Sequence, residues 1–356
     1  MNAGPPRLPS PDRLAPFRDD LDALSSKGRR RALAGRTGVD FASNDYLGLA
    51  GSPRLSCAVR RALDEGAPVG ATGSRLLRGN DDWHEALEAR AAGFFGAGAA
   101  LMFGGGYVAN VALFGTLPQT GDLLLMDDLS HASTREGARL TRAVVAVFRH
   151  NDPGHASEVI ADWRRRGGTG SVWIAVESLY SMDGDRAALD DLAALADEHG
   201  FLVVDEAHAT GVWGAGGRGL AAHLEGRDNV VSLHTLGKAL GGASGGYVAG
   251  PSAVVAMLRQ RSRPYLFSNA LAPMITAASL TAIDLAEAGD DLRARLDANA
   301  ARFRDEMGAA GFTLGGAGHP IIPVMIGDAR LAGDFAARML ERGVYVTGFS
   351  YPVVPR

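Results

Sequence analysis

From about residue 55, short apolar runs alternate along the chain with longer stretches whose apolar positions recur every three or four residues. A short run apolar at successive positions suits a strand covered on both faces, and the three-four spacing suits an amphipathic helix. The runs predict strands over 99–103, 122–126, 143–149, 172–176, 202–204 and 230–233. Helical stretches lie between several of them, as at 83–95 and 189–198. Strands alternating with helices imply βαβ units, and so an α/β fold with a mostly parallel central sheet flanked by helices.

The two ends read differently. Residues 1–16 are rich in proline and read as a flexible arm, 17–36 have helical composition, and 39–49 could pair as an edge hairpin. Beyond about 255, helical patterns fill 270–310. IIPVMI (321–326) and VYVTGF (344–349) then read as strands around a helix near 330–342, which makes a small α+β C-terminal lobe. The expected division is an N-terminal arm and small segment (1–50), a large domain (51–255), and connecting helices with a small domain (256–356).

Composition narrows the function. A 46% hydrophobic and 21% charged chain is ordinary for a globular protein, and a net charge of −4 argues against a nucleic-acid binder. The basic run Arg29, Arg30, Arg31 reads as a solvated helix face, with an anion-binding rim as the functional alternative. The single cysteine, Cys57, excludes an intramolecular disulfide and fits a reducing cytoplasm; its segment SCAVRRAL reads as a helix with Cys57 as a packing residue. No apolar run approaches the roughly 20 residues that span a bilayer, and the N-terminus lacks the apolar core of a signal peptide.

Ligands of an open parallel sheet sit beyond the carboxyl ends of its strands. The chemistry-bearing residues fall there. Gly104, Gly105 and Gly106 follow ALMF and precede a probable helix, His131 follows the 122–126 strand, and Glu177 and Ser178 follow VWIAV. Asp205 and His208 follow FLVV, and Lys238 lies just past VVSLHT. A glycine turn before a helix presents N–H groups suited to a phosphate. A carboxylate can keep a pyridine nitrogen protonated, and a desolvated lysine can bond an aldehyde. Taken singly, the glycine triplet reads as a loop, Asp205 as a helix cap and His131 as a structural histidine. A His-Asp-Ser hydrolase lacks a G-x-S-x-G elbow at a strand end, and no segment has zinc-ligand spacing, so no metal is expected. The combination in this order is far more specific than its parts.

Seven segments carry a resemblance: SNDYLGLA (43–50), GSRLLRGN (73–80), DLSHASTREGARL (128–140), ESLYSMDGD (177–185), VDEAHATGVWG (204–214), HTLGKALGG (234–242) and SRPYLFSNALAP (262–273). From about residue 20 to its end, the chain resembles the α-oxoamine synthases, pyridoxal 5'-phosphate (PLP) enzymes of the fold type I transferases. The resemblance implies that Lys238 bonds the cofactor, Asp205 partners its pyridine nitrogen, His208 lies near its ring hydroxyl and His131 stacks on its ring. Gly105, Gly106 and Tyr107 match the backbone phosphate cradle, and Thr235 the phosphate-binding hydroxyl. Ser181, Asn44 and Ser74 match the amino-acid site, and Ser181 matches the cofactor site as well. Ser268 would reach the phosphate of a neighbouring subunit, which implies a homodimer with shared active sites.

The implied reaction joins a small amino acid to an acyl-CoA or acyl-carrier thioester, with Lys238 as the base and a protonated His208 or His131 assisting at the developing oxyanion. An aminotransferase on the same fold and a catalytically impaired partner subunit are the rivals. Within the family the two parts of the chain differ. Residues 40–235 look most like the 8-amino-7-oxononanoate synthase branch, which joins L-alanine and a pimeloyl thioester in biotin synthesis. The part from GKALGGASGGY onward looks more like the 2-amino-3-ketobutyrate CoA ligase branch, which joins glycine and acetyl-CoA. The first is the expected activity. Family members continue past a PVVP-like segment into a strand bearing a carboxylate-gripping arginine, and this sequence ends at Arg356; the expectation is either a truncation, which would weaken substrate binding more than PLP binding, or another group in place of that arginine.

Overall fold

The structure is a computed structural model, and it describes residues 12–31, 33, 35, 37–241, 243–316 and 318–350. The elements begin with α1 (Ala15–Ser26) and β1 (Val39–Asp40), then α2 (Pro53–Asp64) and α3 (Asp82–Phe95). Strands and helices then alternate: β2 (Ala99–Phe103), α4 (Gly106–Thr116), β3 (Leu123–Asp127), α5 (Ala132–Leu140), β4 (Val144–Phe148), α6 (Pro153–Arg165) and β5 (Val172–Glu177). They continue with α7 (Leu189–His199), β6 (Gly200–Asp205), β7 (Val230–Thr235) and β8 (Gly246–Gly250). Helices α8 (Ser252–Arg261), α9 (Arg263–Phe267), α10 (Pro273–Glu287), α11 (Asp290–Ala309) and α12 (Ala329–Glu341) follow, and β9 (Val344–Tyr345) closes the series.

The chain forms two compact units. One comprises 1–42 with 326–356, and the other 43–325. The larger unit is built on a seven-stranded sheet in the order β2-β8-β7-β6-β5-β3-β4. Strand β8 runs antiparallel to both neighbours and the other pairs are parallel. Alternate side chains leave each strand on opposite faces, which explains two apolar layers. Leu101, Phe103, Leu124, Val203, Val231 and Leu233 pack with Ala109, Leu113 and Phe114 of α4 on one side. Leu125, Ile174, Val176, Leu202 and Val204 pack with Ile160 of α6 and Leu192 of α7 on the other. The sheet matches the expected α/β class. Helix α10 packs on α2 and α3 within this same unit.

In the smaller unit β1 pairs with β9 in parallel, Val39 opposite Val344. This corrects the hairpin expected over 39–49, because the strand takes a partner from the far end of the chain instead of from its own turn. Beyond it the chain turns: the Asp45 carboxylate accepts the N–H groups of Leu49 and Ala50, and Gly48 sits at positive φ. Residues 321–326 are not a strand either. Pro320 and Pro323 lack N–H donors, and the segment keeps a single bridge, Leu314 to Val324. The strand expected over 344–349 shortens to Val344–Tyr345. Strand β8 was not foreseen. Helix α1 ends at Ser26, so Arg29, Arg30 and Arg31 do not form a helix face, and Cys57 is exposed rather than packed. The expected arm falls largely on 1–11, and the PVVP segment at 352–355; both lie outside the described residues. Among the described residues no helix is long and apolar enough to cross a membrane.

Candidate active site

Parallel strands β3, β5, β6 and β7 end on one edge of the sheet, and β2 and the start of β8 share it. The polar residues gather there. Lys238 is half-buried just beyond β7, with Nζ 2.7 Å from His208 Nε2. Burial pushes the lysine pKa down, against the opposing pull of Asp205 and Glu177. His208 is held well below its usual pKa by burial, then by Lys238, His319 and His131. That direction favours the neutral imidazole in the resting site.

Asp205 closes β6 and is buried. Its Oδ1 accepts from Ala207 N at 2.9 Å and its Oδ2 from Asn110 Nδ2 at 2.7 Å. Asn110, fully buried on α4, also donates to Ser133 Oγ, and that hydroxyl lies 2.6 Å from His131 Nδ1. His131 caps α5 by accepting from Ser133 N. One amide thus ties Asp205 to the His131 turn. Glu177, buried at the end of β5, faces the backbone N–H groups of His131 and Ser181; burial and Asp205 push its pKa up to about 8.

The glycine triplet opens helix α4, whose first turn leaves N–H groups without intrahelical partners. Glycine is required here. A Cβ on Gly106 would stand 2.5 Å from Thr235 Cγ2, and one on Gly246 would stand 2.7 Å from Gly106 N. Thr235 therefore borders the helix N-terminus, its Oγ1 donating to Ala207 O at 3.3 Å. Around Gly104 and Gly105 a Cβ would meet open space. Tyr107 is exposed in the first turn of α4.

Asn44 reaches the lysine through a residue the sequence reading missed. Tyr46 Oη lies 2.7 Å from His208 Nδ1 and donates to Asn44 Oδ1 at 3.2 Å. The tyrosine hydrogen goes to Asn44 Oδ1, so His208 Nδ1–H donates to Tyr46 Oη and a neutral ring presents Nε2 to Lys238 as the acceptor. The His319 ring meets Tyr46 edge-on at 5.5 Å. The Tyr46→Phe variant removes the acceptor that fixes this tautomer. It should lower kcat by up to about tenfold in steady-state kinetics, the worth of one neutral hydrogen bond.

Ser74 and Ser268 form a second group. Ser74 is buried with its hydroxyl unpartnered, in a turn whose Gly73 carbonyl accepts from Ala270 N. Ser268 is exposed and lines a small cavity with Arg75, His84, Phe103 and Gly104. Asn110 and Ser133 were also missed. A polar residue one turn into the apolar helix GYVANVALF was the available signal for Asn110.

The residues fit PLP. The helix start and Thr235 form a backbone cradle with open space beside it for a phosphate, Lys238 supplies an amine of lowered pKa, and Asp205 supplies a fixed carboxylate.

Known proteins are similar to the chain over most of its length. The family model of aminotransferase class I and II matches residues 36–356. The 2-amino-3-ketobutyrate coenzyme A ligase of Escherichia coli (strain K12) is 46% identical over 321 residues, covering 89% of this chain and 80% of that protein. The 8-amino-7-oxononanoate synthase of Geobacter sulfurreducens is 42% identical over 343 residues, covering 95% of this chain and 86% of that protein. A variant serine palmitoyltransferase from S. paucimobilis, solved with PLP and myriocin bound, superposes with a TM-score of 0.84 at 27% identity, covering 94% of this chain and 92% of that one. From the sheet edge outward, fold, site and relatives converge: the chain belongs to the aminotransferase class I and II family, and within it to the PLP-dependent α-oxoamine synthases, which are acyltransferase-type enzymes.

Proposed function

We propose that this α-oxoamine synthase joins glycine to acetyl-CoA with release of CoA, the activity of the 2-amino-3-ketobutyrate CoA ligase branch. The observation that carries the choice is the order of the relatives, 46% identity for that branch against 42% for 8-amino-7-oxononanoate synthase. This reverses the order expected from residues 40–235, where L-alanine and a pimeloyl thioester came first.

When bound, PLP supplies an electrophilic aldehyde and a protonated ring that withdraws electrons from the amino acid's α-carbon. The chain's residues do the rest. Lys238 would hold the cofactor through Nζ, and the same Nζ would serve as the base that takes the amino acid's α-proton. Asp205, fixed by Asn110 and Ala207, keeps the ring nitrogen protonated. His208, bonded to Lys238, would stand beside the cofactor's ring hydroxyl, and His131 would pack against its ring. Gly105, Gly106, Tyr107 and Thr235 hold the phosphate. Asn44, Ser74 and Ser181 hold the amino acid. The exposed Ser268 reaches a second subunit's phosphate, so the working form is a homodimer. One cysteine and the CoA substrate suit a cytoplasmic reaction.

Thiol release separates the readings. Glycine with acetyl-CoA should release CoA at least about tenfold faster, in kcat/KM, than L-alanine with pimeloyl-CoA, a gap the fit of a few methylenes can supply. The reverse ranking would restore the biotin branch. Release from no pair would overturn both.

A further inference from the structure

A second polar cluster lies behind the turn that carries Ser181. Strand β3 ends on Asp127, which is fully buried. Just past the neighbouring strand β4, His150 places Nδ1 2.8 Å from Asp127 Oδ1 and Nε2 2.8 Å from Asp185 Oδ2. Its ring meets Tyr180 edge-on at 4.5 Å. Asn151 adds a parallel strap: its N–H donates to Asp127 Oδ2, and its amide donates to Asp185 Oδ2 and to Arg186 O. To do so Asn151 adopts φ +53°, the positive-φ conformation found among the described residues at no other non-glycine position.

The far end of the strap is the turn itself. Tyr180 N donates to Asp185 O and Gly184 N to Tyr180 O, closing a loop with Ser181 on it. Ser181 also faces Glu177 through its backbone. Asp185 thus fastens the turn to His150 and Asn151, beside the Leu179–Arg186 bridge and the bond from Ala187 N to Ser178 O.

The protonation state follows from geometry. A carboxylate only accepts, and both ring nitrogens face carboxylate oxygens at hydrogen-bond distance. Both must carry hydrogen, so the ring is an imidazolium. We propose that His150, as an imidazolium bridging Asp127 and Asp185, is a positioning residue that fixes the Ser181 turn and thereby sets the affinity for the amino-acid substrate. The assignment rests on the Ser181 role given under Proposed function.

The charges around the ring are Asp127 from β3 and Asp183 and Asp185 from the turn, with the Tyr180 phenol beside them. Burial opposes the ring's charge, but the bonds to Asp127 and Asp185 outweigh it and raise the pKa above 6.5. The sign follows. The bridge is fully present below the unfolded value and is lost as pH rises through the higher folded one. Amino-acid affinity should weaken across that window in the wild type.

The test uses the cofactor-loaded enzyme and two variants, H150Q and D185N. Histidine-selective 15N NMR of the wild type should show both ring nitrogens of His150 protonated at pH 7. Glycine titration followed by cofactor absorbance should show Kd about tenfold higher in both variants, the factor carried by one charge-assisted hydrogen bond. Their absorbance without glycine should match the wild type, and the wild-type loss of affinity with rising pH should flatten in H150Q. A singly protonated ring, or variants with wild-type Kd and pH dependence, would overturn the inference. A wild type that answers to neither glycine nor L-alanine would overturn the amino-acid reading and the affinity role with it, while the NMR result still decides whether the bridge exists.

Discussion

Replacing Lys238 with alanine is expected to abolish turnover, a fall of about ten-thousandfold or more, the upper range for loss of a positioned base. The visible absorbance of the PLP-loaded protein should disappear in the same variant, because the amine that bonds the aldehyde is gone. The fold should survive. Lys238 sits where burial already penalises its charge, so its removal relieves a cost rather than breaking a core. Thermal unfolding should therefore move by no more than about 4 °C, the shift that goes with roughly 1 kcal/mol or less in a chain of this size. A variant that keeps the colour and turns over within tenfold of wild type would remove Lys238 from the mechanism.

The second large effect is expected at Asp205. Asp205→Asn keeps the shape but offers one acceptor oxygen, so it can accept from either Ala207 N or Asn110 Nδ2 and sets an amide N–H against the other. What it loses is the negative charge that keeps a ring nitrogen protonated. A drop in kcat of about a hundredfold to a thousandfold is expected, the usual cost of removing one preorganised electrostatic group. The absorbance of the loaded protein should shift rather than vanish, which separates this variant from Lys238→Ala. Turnover within a few-fold of wild type would show that the carboxylate does not face the ring.

Several elements were legible because burial on both faces leaves an unbroken apolar run. Strand β5 extends the expected 172–176 by one residue, and β3 is displaced from 122–126 by one. Strand β8 was not legible for the opposite reason. Its sequence GYVAG begins with the glycine that must lie against Gly106 N, so the approach that builds the site also removes the strand signal. The 321–326 run reads as a strand by composition, yet Pro320 and Pro323 deny it a ladder.

The site divides similarly. Lys238, Asp205, His208 and His131 could be named because each follows a strand end directly and stands in a family motif. Asn110, Tyr46 and His150 could not. Their partners, Asp205, His208 and Asp185, are separated from them by long stretches of chain, and only the finished sheet brings them together. Cys57 was misjudged because helical composition says which residues face one another, not which face lacks a neighbour.

The strand order carries a consequence for biosynthesis. Strand β2 is the first strand of the sheet to leave the ribosome, yet its only neighbour in the sheet is β8, the last. Until residues 246–250 emerge, β2 has no hydrogen-bonding partner in the sheet, and the glycine turn that follows it has no Gly246 backbone to rest on. Contacts of such long sequence separation form slowly. The strands from β3 to β7 can pair beforehand in parallel, so the sheet matures from its middle toward this edge. The glycine turn, among the first parts made, is among the last to be set, and the cradle it would offer a cofactor phosphate is complete only after residue 250 has been translated.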